Sequence, residues 1–415
     1  MVQNEHVPVH KRDKKQERIF CCSEPARIER KTRVKKMNAY DNPMRRQAMS
    51  LPELLRQQYE DLEPKTRSVL SFEEIFSIQR IVLTGCGDSH AAAMAVRLTF
   101  EKLTGIPTEV VPALDLSRYY DGKQLGFAPK NPLVIAVSNS GTVARVGEAI
   151  ERAVKAGAFA LGVTGNRESL LGKSASRVLD LNIPKFEGGP GVRSYLVSTL
   201  TLLLLAIRIG EVRGRFTMDT ANDYRKDLLA QADALEKMLP AMDEQVFEIA
   251  DQWKDFEAFD FAGAGLDYAA AWYGHAKTFE AAGKYAMCIN AEEWLHLNFF
   301  MRKVHEIGTT VVCSAENRGL VRVKEMVKHA ADDMGRPTLV LTDDETLFAD
   351  TTAKTILFPR TRFSHSNVLS AFVPCALLMG YISALIGEEY SRGCKDEWSF
   401  ADHGAGIIES QMMLD

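Results

Sequence analysis

Two stretches decide the fold: Ile81-Val-Leu-Thr-Gly-Cys-Gly-Asp-Ser89 and Pro132-Leu-Val-Ile-Ala-Val-Ser-Asn-Ser-Gly-Thr142. Each joins a short apolar run to a turn of small residues. Each turn opens an amphipathic stretch, reaching about Thr104 in one case and Ala156 in the other. An apolar run of strand length followed by a helix-length pattern is the signature of a βαβ unit. Working outward, Thr108–Pro112, Phe159–Thr164 and Arg177–Ile183 read as further strands of the same sheet. The apolar stretch after Tyr195 reads as a buried helix. Before them, Leu51, Leu54, Leu55 and Leu62 recur near helical spacing.

The pattern then restarts. Residues 216–257 are charged and helically periodic, and are expected to form a helical connector. Phe259–Ala262, Thr309–Ser314, Thr338–Thr342 and Thr355–Phe358 are the next strands, and an apolar helix is expected from about Val368 to Ile386. Strands separated by helices imply an α/β fold with parallel sheets covered on both faces. Two halves with one grammar imply an internal duplication. The expected division is a basic leader over 1–50, one α/β domain over 52–215, the connector, a second α/β domain over 258–390, and a polar tail over 391–415.

Composition narrows the function. Of 415 residues, 46% are hydrophobic and 26% charged, which suits a globular protein with a large core. The longest apolar run, Leu196–Ile207, falls short of the roughly 18 residues that span a bilayer. No apolar segment follows the polar start as in a secretory signal, so a cytoplasmic chain without a membrane partner is expected. Net charge is -4, yet residues 1–36 hold 11 Lys/Arg against 5 Asp/Glu. That arm has no recognition fold and is read as a disordered leader, or as sequence upstream of a true start at Met37, so no nucleic-acid partner is expected. Seven cysteines give no disulfide framework. Cys86, Cys288, Cys313 and Cys375 read as small buried hydrophobes, and Cys21-Cys22 lacks the second pair of a zinc site, so no metal is expected.

Chemistry concentrates in the first half. Gly85-Cys-Gly-Asp-Ser89 and Ser138-Asn-Ser-Gly-Thr142 both follow a strand and open a helix, the place where ligands bind parallel sheets. Helix amides and the hydroxyls of Ser138, Ser140 and Thr142 form a cradle for a phosphate dianion, and Gly141 leaves room for close approach. The competing role for such residues is helix capping. Gly263-Ala-Gly265 is no dinucleotide fingerprint, because the third glycine is absent.

These motifs, with Gly191-Val-Arg-Ser194 and with Lys277 and Glu280 downstream of Gly263-Ala-Gly265, resemble the SIS (sugar isomerase) family of phosphosugar-binding domains. In particular the chain resembles the tandem isomerase half of glucosamine-6-phosphate synthase and the related amino-sugar and Amadori-product deglycases, over residues 52–390. The resemblance implies that Ser89, Ser138, Asn139, Ser140, Gly141 and Thr142 hold a sugar phosphate. It implies Glu280 as the base that moves a proton between neighbouring carbons. His296, sixteen residues further on, would assist ring opening, and Lys277 lies on the helix face of Glu280. It also implies a homodimer or higher oligomer and no cofactor.

Departures refine the expectation. The chain has no place for a glutaminase domain, so an enzyme other than a glutamine amidotransferase is expected. Asp88 stands where the synthase has Thr or a small residue, which suits a substrate with an amine or a hydrogen-bonding hydroxyl. Arg193, beside Ser194, is placed to pair with an acidic group of a conjugate. Asp396, Asp402 and His403 of the tail are further candidates. The reaction expected is deglycation or isomerisation of a 6-phosphorylated amino-sugar or sugar–amino acid conjugate. The alternatives are a plain aldose–ketose isomerase, an amino-sugar phosphate deaminase, or a sugar-phosphate sensor without turnover.

Overall fold

The computed structural model describes residues 33–125, 131–390 and 406–414. The chain separates between residues 39 and 40 into two units, and of the first unit residues 33–39 are helical. The second unit carries two five-stranded sheets. Strands β1 (Ile81–Gly85), β2 (Thr108–Val110), β3 (Leu133–Val137), β4 (Phe159–Thr164) and β5 (Arg177–Asp180) lie in the order β2-β1-β3-β4-β5. Strands β6 (Ala258–Gly263), β7 (Tyr285–Asn290), β8 (Ile307–Val312), β9 (Thr338–Thr342) and β10 (Lys354–Leu357) lie in the order β10-β9-β8-β6-β7. Every neighbouring pair is parallel. The α/β architecture expected from the strand pattern is the one observed.

Burial explains why these runs are strands. β1, β3 and β4 are buried along their whole length, as strands covered on both faces must be. Val82, Val134, Ala136 and Ala160 meet Ala149, Ile150 and Ala153 of the Ala144–Lys155 helix in one cluster. In the second sheet Ala262, Val311 and Val340 meet Val323, Met326 and Val327 in the same way. The edge strand β7 has no counterpart in the sequence reading. Its Tyr-Ala-Met-Cys-Ile-Asn pattern is only partly buried and among the described residues it pairs with β6 alone, so it lacks the continuous apolar run of a central strand.

Other expectations shift. The leader foreseen over 1–50 ends earlier: Pro43–Met49 is a helix with Met44 and Ala48 wholly buried, started by Asn42, whose side chain accepts from Arg45 N at 2.9 Å. The Leu51 periodicity continues into an 18-residue helix, Leu51–Ser68. The region foreseen as a connector is one 36-residue helix, Met218–Trp253. It buries Leu228, Leu235, Leu239, Val246 and Phe247, and packs on the Val373–Ile386 and Leu51–Ser68 helices, so it is part of the core. Its Asp243 is gripped by Arg45 at 2.8 Å and by the Tyr381 hydroxyl at 2.7 Å.

The apolar run Leu196–Ile207 sits in the longer helix Arg193–Val212, which with Ser364–Ile386 is long and apolar enough to cross a bilayer. In each, 83% of the apolar window is buried inside the protein. A helix apolar all round packs in this way in a large core. Arg193–Val212 lies against the Asp88–Thr104 and Leu51–Ser68 helices.

Candidate active site

The two small-residue turns stand side by side because their strands do. β1 and β3 are neighbours with Gly85 opposite Val137, so both turns leave the same carboxyl edge. At the first turn Gly87 adopts φ +55°, and the Asp88–Thr104 helix begins without a capping side chain. Gly85 is required by close packing: a Cβ there would lie 2.8 Å from the Ser89 Cβ. Cys86, expected as a buried hydrophobe, is exposed in this turn, as is common for a residue at a sheet edge.

At the second turn the hydroxyls bond within the turn rather than to the helix. Ser138 Oγ accepts from Gly141 N at 3.1 Å, and Ser140 Oγ accepts from Thr142 N at 3.3 Å and from Thr142 Oγ1 at 3.0 Å. The Asn139 carbonyl accepts from Gly165 N at 2.9 Å, which ties the turn to the end of β4. The Ala144–Lys155 helix starts after Val143 with no side-chain cap. Its first amides therefore open outward beside exposed Ser140 and half-buried Thr142, an arrangement that favours an anion. Gly141 has φ +70°, and a Cβ on it would fall 2.0 Å from Ser169 Oγ and 2.7 Å from Thr164 Oγ1. No other residue fits there.

The second half reaches into this edge. Lys277, wholly buried, ends the Tyr268–Lys277 helix and places its Nζ 2.7 Å from the Asp88 carboxylate and 2.6 Å from Glu280 Oε2. Glu280 lies in a wide π turn, Thr278–Ala282, closed by Gly283 at φ +62°. Such turns recur at functional sites because they swing a side chain off the regular helical track. The Glu280 side chain keeps 42% of its surface exposed, so its carboxylate is tethered yet open.

Electrostatics follow from this geometry. Burial raises the Asp88 carboxyl, Lys277 pulls it down, Glu280 pushes it up again, and the result is about 6. Burial works against the Lys277 charge, but the two carboxylates outweigh it and hold its pKa above the usual lysine value. Lys277 is thus a fixed cation and not a free amine nucleophile.

Tyr273, which the sequence reading did not single out, and Gly191 complete the frame. Tyr273, one turn before Lys277 on the same face, places its ring 5.0 Å from Lys277 Nζ and donates its hydroxyl to the Gly191 carbonyl at 3.0 Å. Gly191 packs so closely that a Cβ would lie 2.6 Å from Asp88 Oδ2 and 2.7 Å from Ser194 Oγ. Ser194 is thereby brought beside Asp88.

Arg193 and His296 are placed elsewhere. The Arg193 guanidinium donates to Ser50 Oγ at 2.6 Å and to the Pro184 carbonyl at 3.3 Å, and stacks over Phe186 at 4.5 Å. It is engaged in closing the structure, not held free as the sequence suggested. His296 sits on the Ala291–Leu297 helix with 61% of its side chain exposed. Its Nε2 is 2.9 Å from Glu292 Oε1, and Glu292 is also held by Arg322 at 2.6 Å. Asp396, Asp402 and His403 lie outside the described residues. The last described segment, residues 406–414, is docked on the first half: Arg118 and Arg145 donate to Gln411 O, and Lys155 to Leu414 O at 3.1 Å.

Comparison with known proteins bears on the fold and on the stretch that carries both turns. The SIS domain family matches residues 74–208, the stretch containing both turns. The glutamine--fructose-6-phosphate aminotransferase [isomerizing] of Clostridium tetani is 26% identical over 321 residues, covering 76% of this chain and 50% of that protein. Its namesake 2 from Mus musculus is 22% identical, covering 76% of this chain and 45% of that protein. The chain spans about half the length of these relatives. Among solved structures, the C-terminal domain of glucosamine-fructose-6-phosphate aminotransferase from Francisella tularensis superposes with a TM-score of 0.75 at 16% identity, over 85% of this chain and 99% of that one. Tagatose-6-phosphate ketose/aldose isomerase from Escherichia coli gives 0.66 at 17% identity, over 85% and 96%. At such identities the likeness is one of fold. Residues 74–208 therefore match the SIS domain family, and the chain as a whole resembles the tandem-domain isomerase half of the glucosamine-6-phosphate synthases.

Proposed function

We propose that this chain is a phosphosugar enzyme of the isomerase type, in which the first half holds the phosphate and the second half supplies the base. The observation that carries the reading is the Asp88–Lys277–Glu280 chain. It brings a half-exposed carboxylate from one half to the sheet edge where the other half presents an uncapped, hydroxyl-rich turn.

Glu280 removes a proton from the carbon beside the sugar carbonyl, and the electron pair moves into a carbon–carbon double bond as the carbonyl oxygen gains a proton. The same proton returns to the former carbonyl carbon while the hydroxyl on the neighbouring carbon gives up its proton and becomes the new carbonyl, completing an aldose–ketose shift. With an amino substituent on the first carbon, the same shift leaves an imine there, and water hydrolyses it to the aldose and a free amine. Lys277 holds Glu280 in place and remains charged throughout. Asp88 fixes Lys277, and with its proton affinity near neutrality it also faces substrates that carry an amine. We assign ring opening to His296. Its exposed position, held among the described residues by Glu292, suits a residue that enters the site of a neighbouring subunit in a homodimer. Arg193 acts here as a positioning residue for the Gly191–Ser194 segment. The locale proposed is the cytoplasm.

Turnover tests the reading. A panel of 6-phosphosugars is screened by thermal shift, since a ligand of the native state raises the melting point. The binders and their amino acid conjugates are then assayed for isomerised sugar or released amine. Product formed by wild type and lost in Glu280→Gln supports the proposal, whereas binding with no product under any condition favours the sensor.

A further inference from the structure

Both halves share one strand order, so every turn of the first has a counterpart in the second. β6 and β8 stand side by side in the second sheet as β1 and β3 do in the first. The segment after β6, Gly263–Tyr268, corresponds to Gly85–His90, and the segment after β8, Cys313–Gly319, corresponds to Ser138–Val143. Gly85–Gly105 and Gly263–Gly283 are even of equal length, and both end on a glycine of positive φ.

The second half has kept its donors. Ser314 supplies its amide and its hydroxyl, and Asn317 supplies its side-chain amide. All three converge on a carboxylate of the chain itself. Ser314 N lies 2.8 Å from Asp267 Oδ2, Ser314 Oγ lies 2.9 and 3.1 Å from its two oxygens, and Asn317 Nδ2 lies 2.6 Å from Oδ2. Asp267 is 2% exposed, and these bonds come from neutral donors. Beside it Asp343 accepts from Ala315 N at 2.7 Å, adding a second carboxylate to the same edge. A cleft of about 330 Å³ opens beside the turn after β6, lined by Gly265, Tyr268, Asn290 and, from the first half, Arg97 and Leu98, and none of the donors to Asp267 lines it. The anion donors of this turn are already used.

We propose that Asp267 is a built-in anion that fills the second half's phosphate cradle and so limits each chain to one phosphosugar. The counterpart position in the first half is Ser89, a neutral residue that leaves its turn open. The inference rests on reading Ser138–Thr142 as a phosphate cradle. A phosphate dianion approaching Ser314 and Asn317 meets donors already satisfied and two carboxylates that repel it.

The test is the number of phosphates bound per chain, by calorimetric titration of the full chain with inorganic phosphate. Wild type is expected to take one equivalent and Asp267→Ser two. In Asp267→Ser combined with Ser140→Ala and Thr142→Ala, the one remaining equivalent belongs to the second half. A folded Asp267→Ser that gains no equivalent overturns the proposal, and so does a wild type that binds two. Wild type binding none while Asp267→Ser binds one upholds the plug and rejects the first-half cradle, so the two ideas fail separately. Should Asp267→Ser not fold, wild-type crystals soaked in phosphate decide. Phosphate on Ser138–Thr142 alone supports the plug, and phosphate on Ser314 and Asn317 refutes it.

Discussion

The two halves of this chain share a topology and differ at their sheet edges. In the first, the turn after the central strand is open, its helix uncapped and its hydroxyls turned on one another. In the second, the corresponding turn is closed by a carboxylate, and the far end of the helix carries Lys277 and Glu280 to the other half's sheet edge. The two halves present equivalent edges, and two local differences make them unequal: a side chain that fills one cradle, and a π turn over Thr278–Ala282 that redirects one helix end. Fold alone therefore says little about which half binds and which reacts.

The comparison breaks most sharply at Glu280. Glu280→Gln keeps shape and removes the base, and turnover is expected to fall roughly 10²–10⁴-fold with phosphate binding intact. Titration and rate measurements on the same sample separate the two. A loss of binding with unchanged rate would put the chemistry in the wrong half.

Lys277 links the halves and gives the next effect. Lys277→Met leaves Asp88 without its cation, and breaking one side of a buried pair costs about 3 kcal/mol or more. The half-exposed Glu280 is screened by water, so the lower end applies. A urea unfolding midpoint measures it, and an unchanged midpoint would mean that the bridge holds nothing together.

Gly141 sharpens the first half. Gly141→Ala forces a Cβ into Ser169 at a backbone angle that favours glycine, so a loss of about 1–3 kcal/mol is expected, with at least tenfold weaker phosphate binding. The corresponding turn of the second half takes no phosphate, so Gly319→Ala should leave phosphate binding unchanged.

Asp88 yields the smallest effect and a direction in pH. Its carboxyl rises from 3.8 when exposed to about 6 when folded, so the folded state holds the proton more tightly. Its contribution to stability is fully present below about pH 4 and is lost as pH rises through 6. The difference in urea midpoint between wild type and Asp88→Asn should therefore change across pH 4–6 and level off above 7. A difference that is flat over that range contradicts the assigned environment.

Much of this was legible in residues that lie next to one another. The apolar runs at Leu133–Val137 and Phe159–Thr164 announce central strands because both faces are buried, and Ser138–Thr142 is contiguous, so its grouping of hydroxyls shows in the sequence. What stayed hidden depends on contacts between distant residues. Asp88 and Lys277 meet across 189 positions, and Asp267 and Ser314 across 47, so no spacing rule joins them. The edge strand Tyr285–Asn290 hid because among the described residues one of its sides has no neighbour, and only Ala286 and Ile289 of its six residues are buried. The Met218–Trp253 helix looked like a connector because its exposed face is charged, while its buried face repeats the core. Arg193 looked available because sequence shows a charge but not the Ser50 hydroxyl and Pro184 carbonyl that hold it.

Proton traffic at carbon tests the central claim most directly. Wild type and Glu280→Gln are incubated in heavy water with ketose 6-phosphates, and deuterium entering the carbon beside the carbonyl is followed by NMR. The account predicts exchange by wild type and almost none by the variant, with both still binding phosphate. Equal exchange in the two proteins would contradict it.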